Sequence, residues 1–211
     1  LLRNIGDGLF EPHSFSVPDD GLKYVQERDA EGLPLFSTPG LTSLAIADVD
    51  RDGYRDAVAT GWSSDVVAVF PGHPELYFGD PEFIDLSGGP RDVLLRDLDG
   101  DGELDLAVAL YNGNAIALLK GDGKGHFDFI DRIPSGGTWP NTLRYGDVNG
   151  DGRGDLVVRH AQGDDVVSIL FGQGKYDFAV VQNVRLGEDR FQRELGALDA
   201  LVADFSGDGK T

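Results

Sequence analysis

Short apolar runs separated by polar, glycine-rich turns recur along the chain. The runs at 41–47, 57–60, 66–70 and 83–86 form one group of four. A second group lies at 93–95, 106–110, 115–119 and 127–133, and a third at 143–145, 156–158, 166–171 and 176–181. A single run at 201–203 opens a fourth group. The runs are rich in Val, Ile, Leu and Phe and are bounded by Gly, Asp and Asn, which predicts strands rather than helices. Four short strands per unit of roughly 50 residues is the layout of a β-propeller blade. A solenoid is the competing repeat architecture, but four strands per unit fit it less well. The expected fold class is therefore all-β, a β-propeller built of four-stranded antiparallel blades.

The pattern places whole blades at 39–88, 89–136 and 137–184, and partial blades at 1–17 and 197–211. LLRNIGDGLF at 1–10 aligns with LLKGDGKGHF at 118–127, so the chain opens in the third strand of one blade and ends after the first strand of another. A closed four-bladed ring made by joining the two ends would lack one strand. The expectation is a fragment of a larger propeller, with a partner chain filling the gap as the alternative. Polar insertions at 18–38 and 184–196 interrupt the period, with short helices expected at 22–28 and 188–195.

Between the first and second runs of each unit stands an acidic loop. The copies are DVDRDGYRD at 48–56, DLDGDGELD at 97–105, DVNGDGRGD at 147–155 and DFSGDGKT at 204–211, their first residues 49, 50 and 57 apart. Two carboxylates about 4 Å apart repel by roughly 4 kcal/mol at an effective dielectric near 20, so four in one loop are untenable unless protons or a cation offset them. Alternation puts the side chains of positions 1, 3 and 5 on one side, Gly at position 6 permits the turn, and the carbonyl at position 7 and the Asp at position 9 complete an oxygen cage. Hard oxygen ligands in that number favour Ca²⁺ over Mg²⁺, which keeps its waters in a strict octahedron. An EF-hand shares the opening but needs Glu at position 12 and flanking helices; here position 12 is Ala59, Val108 or Val158, and the flanks are strands. Plain Asp-Gly turns without metal are the remaining alternative. The third loop, with Asn149 at position 3, should be weaker. The fourth, with Ser206 at position 3 and no position 9, should be weak or empty.

The loop, together with the LLxGxGxGxF pattern after the third strand, resembles the FG-GAP/VCBS repeat, which builds the N-terminal propeller of integrin α subunits and many extracellular proteins. The FG signature survives as Phe78-Gly79 and Phe171-Gly172. The resemblance implies Ca²⁺ bound by Asp48, Asp50, Asp52 and Asp56 with the Tyr54 carbonyl. It implies a second site at Asp97, Asp99, Asp101 and Asp105 with the Glu103 carbonyl, and a third at Asp147, Asn149, Asp151 and Asp155 with the Arg153 carbonyl. Asp204, Ser206 and Asp208 stand for an incomplete fourth. It also implies an extracellular, secreted or surface setting, where millimolar calcium suits sites in the roughly 10⁻⁴–10⁻³ M range.

Composition narrows the partners. The chain has 211 residues, 37 acids against 18 Lys and Arg, and a formal charge of −19. That charge argues against nucleic acid and anionic lipid, and no apolar run approaches the roughly 18 residues of a membrane helix. Without Cys there are no disulfides or thiolate sites, and without Met residue 1 is not a translation start, so a processed chain or a piece of a longer one is expected. Strand alternation puts the acidic loops on one face and the blade-to-blade links on the other. Trp62 and Tyr111 fall at the same offset from Asp56 and Asp105, His160 falls one position earlier in the third blade, and Trp139 lies in a link. These four are candidates for binding a carbohydrate or an extracellular protein, against the alternative that they pack between blades. The four His keep no zinc spacing, and neither a nucleophile elbow nor a phosphate loop occurs, so catalysis has little support. Some polysaccharide lyases and sugar-modifying enzymes carry similar propellers, which leaves a carbohydrate-active enzyme, and a bare scaffold, as alternative readings.

Overall fold

The computed structural model describes residues 2–6, 9–12, 41–74, 78–161 and 167–184. These residues form strands, turns and bends without a helix. A hairpin pairs β1 (Leu2–Gly6) with β2 (Leu9–Pro12). Three four-stranded antiparallel sheets follow, each in simple up-and-down order. The first holds β3 (Leu41–Ala47), β4 (Asp56–Gly61), β5 (Val66–Phe70) and β6 (Glu82–Asp85). The second holds β7 (Pro90–Arg96), β8 (Asp105–Leu110), β9 (Ala115–Gly121) and β10 (Phe127–Pro134). The third holds β11 (Pro140–Gly146), β12 (Asp155–His160), β13 (Val167–Gly174) and β14 (Asp177–Val184). These are propeller-like blades. The helices expected at 22–28 and 188–195, and the fourth acidic loop, lie outside the described residues.

The second strands explain why the apolar runs do not alternate with polar residues. β4, β8 and β12 are buried at every position; β8 lies in the middle sheet, and period 2 divides its side chains between the two cores on either side. Val108 and Leu110 of β8 join Val58, Val67 and Val93 in the core between the first two sheets. Ala107 and Ala109 join Ile116, Leu143 and Leu170 in the core between the second and third. The small side chains on one face of β8 let the third blade approach closely.

The first strands of the blades lie side by side and are tied by one carboxylate. Asp92 of β7 accepts the Ser43 hydroxyl of β3 and, at 2.7 Å, the Leu143 N–H of β11. Each first strand also carries a register shift at the same place, between Leu41 and Ser43, Pro90 and Asp92, and Pro140 and Thr142. The residues thrown out of register are Thr42, Arg91 and Asn141, all at the link end of their blades.

Candidate metal centres and the opposite face

The acidic loops connect first to second strands, and their own side chains shape them. In the first loop Asp48 accepts the Gly53 N–H at 3.1 Å, Asp50 that of Asp52 at 3.0 Å and Asp52 that of Tyr54 at 2.8 Å. In the second, Asp97 accepts Gly100 and Gly102, Asp99 accepts Asp101, and Asp101 accepts Glu103. In the third, Asp147 accepts Gly150, Asp151 and Gly152, Asn149 accepts Asp151, and Asp151 accepts Arg153. The folding of side chains back onto the loop N–H groups, two to five residues on, is why Asp and Asn alternate there.

The ninth-position acid does something different. Asp56, Asp105 and Asp155 are fully buried. One oxygen of each accepts the N–H of loop position 2: Val49 at 2.6 Å, Leu98 at 2.8 Å and Val148 at 2.8 Å. The other accepts the N–H of a third-strand or post-strand glycine: Gly72 at 2.6 Å, Gly121 at 3.0 Å and Gly172 at 2.9 Å. Each carboxylate thus fastens its loop to the third strand of the same blade. The glycines matter for space: the carbonyl of loop position 8 (Arg55, Leu104 or Gly154) sits where a Cβ would be, 2.5 Å away at Gly72 and closer at the other two. The glycine of the first blade's motif is therefore Gly72; Gly79 instead donates to the Pro71 carbonyl at 2.8 Å. Sequence comparison singled out Phe78-Gly79 because its dipeptide matched, whereas the position is defined by backbone contact.

Among the described residues two clusters bring carboxylate oxygens within 4.8 Å of one another, Asp48 with Asp50 and Asp52, and Asp97 with Asp99 and Asp105. Either cluster could hold a metal ion. The donor set fits a hard cation, being all oxygen. A specific atom supports the fit: Asp48 Oδ1 is buried and has no hydrogen-bond partner, an arrangement that costs free energy unless something positive faces it. Burial pushes the Asp50 carboxyl above the usual carboxylate range, and the Asp56, Asp52 and Asp48 charges add to it against the opposing Asp52 N–H.

The loops differ in how their charge is offset. None of the described ion pairs reaches Asp48, Asp50 or Asp52. In the second loop the Lys120 ammonium lies 2.5 Å from both Asp99 and Asp101. Its hydrogen bonds, first to Asp101 and then to Asp99, hold it well above the usual lysine range, and they hold Asp101 below the usual carboxylate range. In the third loop Arg153 lies 2.7 Å from Asp151 and donates to the Gly172 carbonyl. Arg51 of the first loop instead bridges to the second, pairing with Glu103 at 2.6 Å and donating to the Gly102 carbonyl. The first loop is the least neutralised of the three.

On the opposite face the structure brings together three of the four sequence candidates. Tyr111 packs edge-on against Trp62 and lies nearly parallel to Trp139, each at 6.3 Å between centroids. The three rings come from the β4–β5 turn, the β8–β9 turn and the β10–β11 link. Trp62 and Trp139 are 39% and 38% exposed, so each ring leaves part of its surface to solvent. The backbone beneath is fixed: Asp65 accepts the Gly88 and Gly89 N–H groups, Gly89 accepts that of Tyr111, and Asn114 Oδ1 accepts that of Trp139 at 2.7 Å. Trp139 holds φ = +54°, a conformation that strains a bulky residue by about 1–3 kcal/mol. The preceding link has Gly89 just before its proline, at φ = +69°.

His160 is corrected. It is buried, with Nε2 2.9 Å from Ser168 Oγ and Nδ1 3.2 Å from the Thr138 carbonyl. It ends β12, whereas Trp62 and Tyr111 begin the turns after β4 and β8. One position earlier in a strand turns the side chain to the other side. The residue sequence reasoning missed on this face is Arg91, whose guanidinium lies 5.6 Å from both the Trp62 and Tyr111 ring centroids. The only sequence signal was its place one residue after Pro90.

A family model described as FG-GAP-like repeat matches residues 48–108 and 97–158, which together span more than half of the chain. No curated protein matches the chain significantly.

Proposed function

Because the chain belongs to the FG-GAP-like repeat family, we propose that it is a calcium-stabilised, propeller-like binding module of the extracellular space, taking carbohydrate or protein on the face away from its metal loops. Asp48, Asp50 and Asp52 would hold the tightest ion, with Asp56 fixing the loop behind them. Asp97, Asp99 and Asp105 would hold another. Calcium supplies there the positive charge that the carboxylates lack. The single observation that carries the reading is the first loop itself: three converging carboxylates, one buried oxygen without a donor and, among the described residues, no Lys or Arg paired with them.

The extracellular reading is supported by the repeat family, which is typical of extracellular proteins. Sites of about 10⁻⁴–10⁻³ M, the range of extracellular modules, would be filled there by millimolar calcium. The binding role rests on the half-exposed rings of Trp62 and Trp139, held over the links by fixed backbone.

Calcium titration calorimetry tests the proposal. The wild-type protein is expected to give at least two classes of site, and Asp50→Asn to weaken the tightest by about tenfold or more, as loss of one charged ligand should. Lys120→Gln is expected to strengthen the second site, because the ammonium no longer competes for Asp99 and Asp101. No calcium heat in the wild-type protein at millimolar concentration would overturn the metal assignment.

A further inference from the structure

Arg91 is the extra residue of the bulge in β7, lying between Pro90, which pairs with Leu110, and Asp92, which pairs with Ala109. A bulge re-aims the side chain it carries. The same bulge holds Thr42 in the first blade and Asn141 in the third, so only the middle blade places a charge there. Its guanidinium is flanked by the Trp62 and Tyr111 rings. Among the described residues no carboxylate pairs with it, in a chain where acids outnumber bases two to one. Arg132, further along the same end, donates to the Ser87 hydroxyl at 3.1 Å. Arg91 is thus a planar, permanently charged donor, held by rings and left open to an acceptor from outside.

We propose, resting on the binding-module reading above, that Trp62, Arg91, Tyr111 and Trp139 form a site for a glycan bearing carboxylates, such as a uronic-acid oligosaccharide. Arg91 takes the carboxylate through its two-pronged donor edge. The rings take the apolar faces of the sugars. Asn112 and Asn114 in the turn beside Tyr111 supply amide groups suited to hydroxyls. A glycan fits better than an acidic protein surface. A short oligosaccharide brings a few charges to one arginine, whereas an acidic protein would set its whole field against the −19 of this chain. The strained φ of Trp139 belongs to the same device: the chain keeps a ring where a glycine would relax the link.

Titration calorimetry at fixed calcium, with three probes of equal length, tests this. The probes are a trisaccharide of galacturonic acid, a neutral galactose trisaccharide and a triglutamate peptide. The uronate is expected to bind at least about tenfold more tightly than the neutral sugar, as a charge-assisted pair should allow, and the peptide not to bind. Arg91→Gln should bring the uronate down to the neutral sugar's affinity, and Arg91→Lys should recover only part of the loss. Trp139→Ala should weaken both sugars. Each variant must keep the wild-type calcium titration, which shows that it is folded. Equal binding of the two sugars, unchanged in Arg91→Gln, would overturn the carboxylate assignment and leave a carbohydrate role standing. Binding of the peptide alone would overturn the glycan assignment. No binding of either sugar to the calcium-loaded protein would overturn both the site and the carbohydrate reading.

Discussion

Replacing Asp105 by Ala is expected to destabilise the calcium-free protein by about 4 kcal/mol, because it leaves two buried N–H groups without acceptors at about 1–3 kcal/mol each. The carboxylate is fully buried and joins Leu98 of the acidic loop to Gly121 of β9. Its charge is itself costly to bury: desolvation holds its pKa above the ordinary carboxylate range despite both backbone donors. Asp105→Asn should therefore lose only part of the stability, since the amide oxygen keeps one N–H while its NH₂ opposes the other. Thermal unfolding in chelator isolates this effect from metal loss, and about 4 kcal/mol corresponds to a midpoint lower by roughly 10 °C in a chain of this size. A surface-like change of under a degree or two would mean that the carboxylate does not fasten the loop to the strand.

The second large effect is expected at Gly121. An added methyl would overlap the Leu104 carbonyl and come within 3.2 Å of the Phe127 ring. A backbone oxygen cannot rotate aside, so Gly121→Ala must push β9 away from the loop and break the hydrogen bond to Asp105. The cost should be about 3 kcal/mol, at the upper end for overpacking. Gly53→Ala is the contrasting control. Gly53 has open space around it but holds φ = +92°, so its cost should be about 1 kcal/mol and come from backbone conformation alone. Denaturant unfolding of the two variants should separate them clearly; equal losses would show that the close approach at Gly121 is unimportant.

Both effects concern features that the sequence disclosed only in part. The four-strand period and the acidic loops were legible because each recurs at nearly fixed spacing and because Asp, Gly and apolar residues have strong local preferences. The continuous burial of β8 could be inferred from DLAVAL, which has no polar alternation after its first residue. The role of that first residue could not. Asp105 reads as one more acid in a run of acids, and its burial depends on a glycine sixteen positions later. The pairing of Asp105 with Gly121 repeats as Asp56 with Gly72 and Asp155 with Gly172, yet the residue before the glycine is Pro71, Lys120 or Phe171, which hides the correspondence.

The link face was legible as a place but not as an arrangement. Trp62, Tyr111 and Trp139 are far apart in the chain, and only the stacking of successive blades puts Tyr111 6.3 Å from each of the other two rings. Arg91 joins them because a bulge displaces it, and a bulge leaves no composition signal of its own. His160, one position earlier in its blade than the two ring positions, points away from them, since the end of β12 still follows the strand's alternation and the turn beyond it does not. Charge compensation was equally hidden: Lys120 belongs to β9, and nothing local to the second loop announces that an ammonium lies on two of its carboxylates.

Thermal unfolding in calcium and in chelator tests the whole arrangement most directly. At a free calcium concentration near 100 times the dissociation constant, one filled site adds about 2.7 kcal/mol, which should raise the midpoint by roughly 5–10 °C at about 2–4 °C per kcal/mol. Asp50→Asn should remove much of that rise while leaving the midpoint in chelator unchanged or higher, because the neutral side chain no longer repels Asp48, Asp52 and Asp56. Identical midpoints in calcium and in chelator, for the wild-type protein, would contradict calcium-stabilised acidic loops outright.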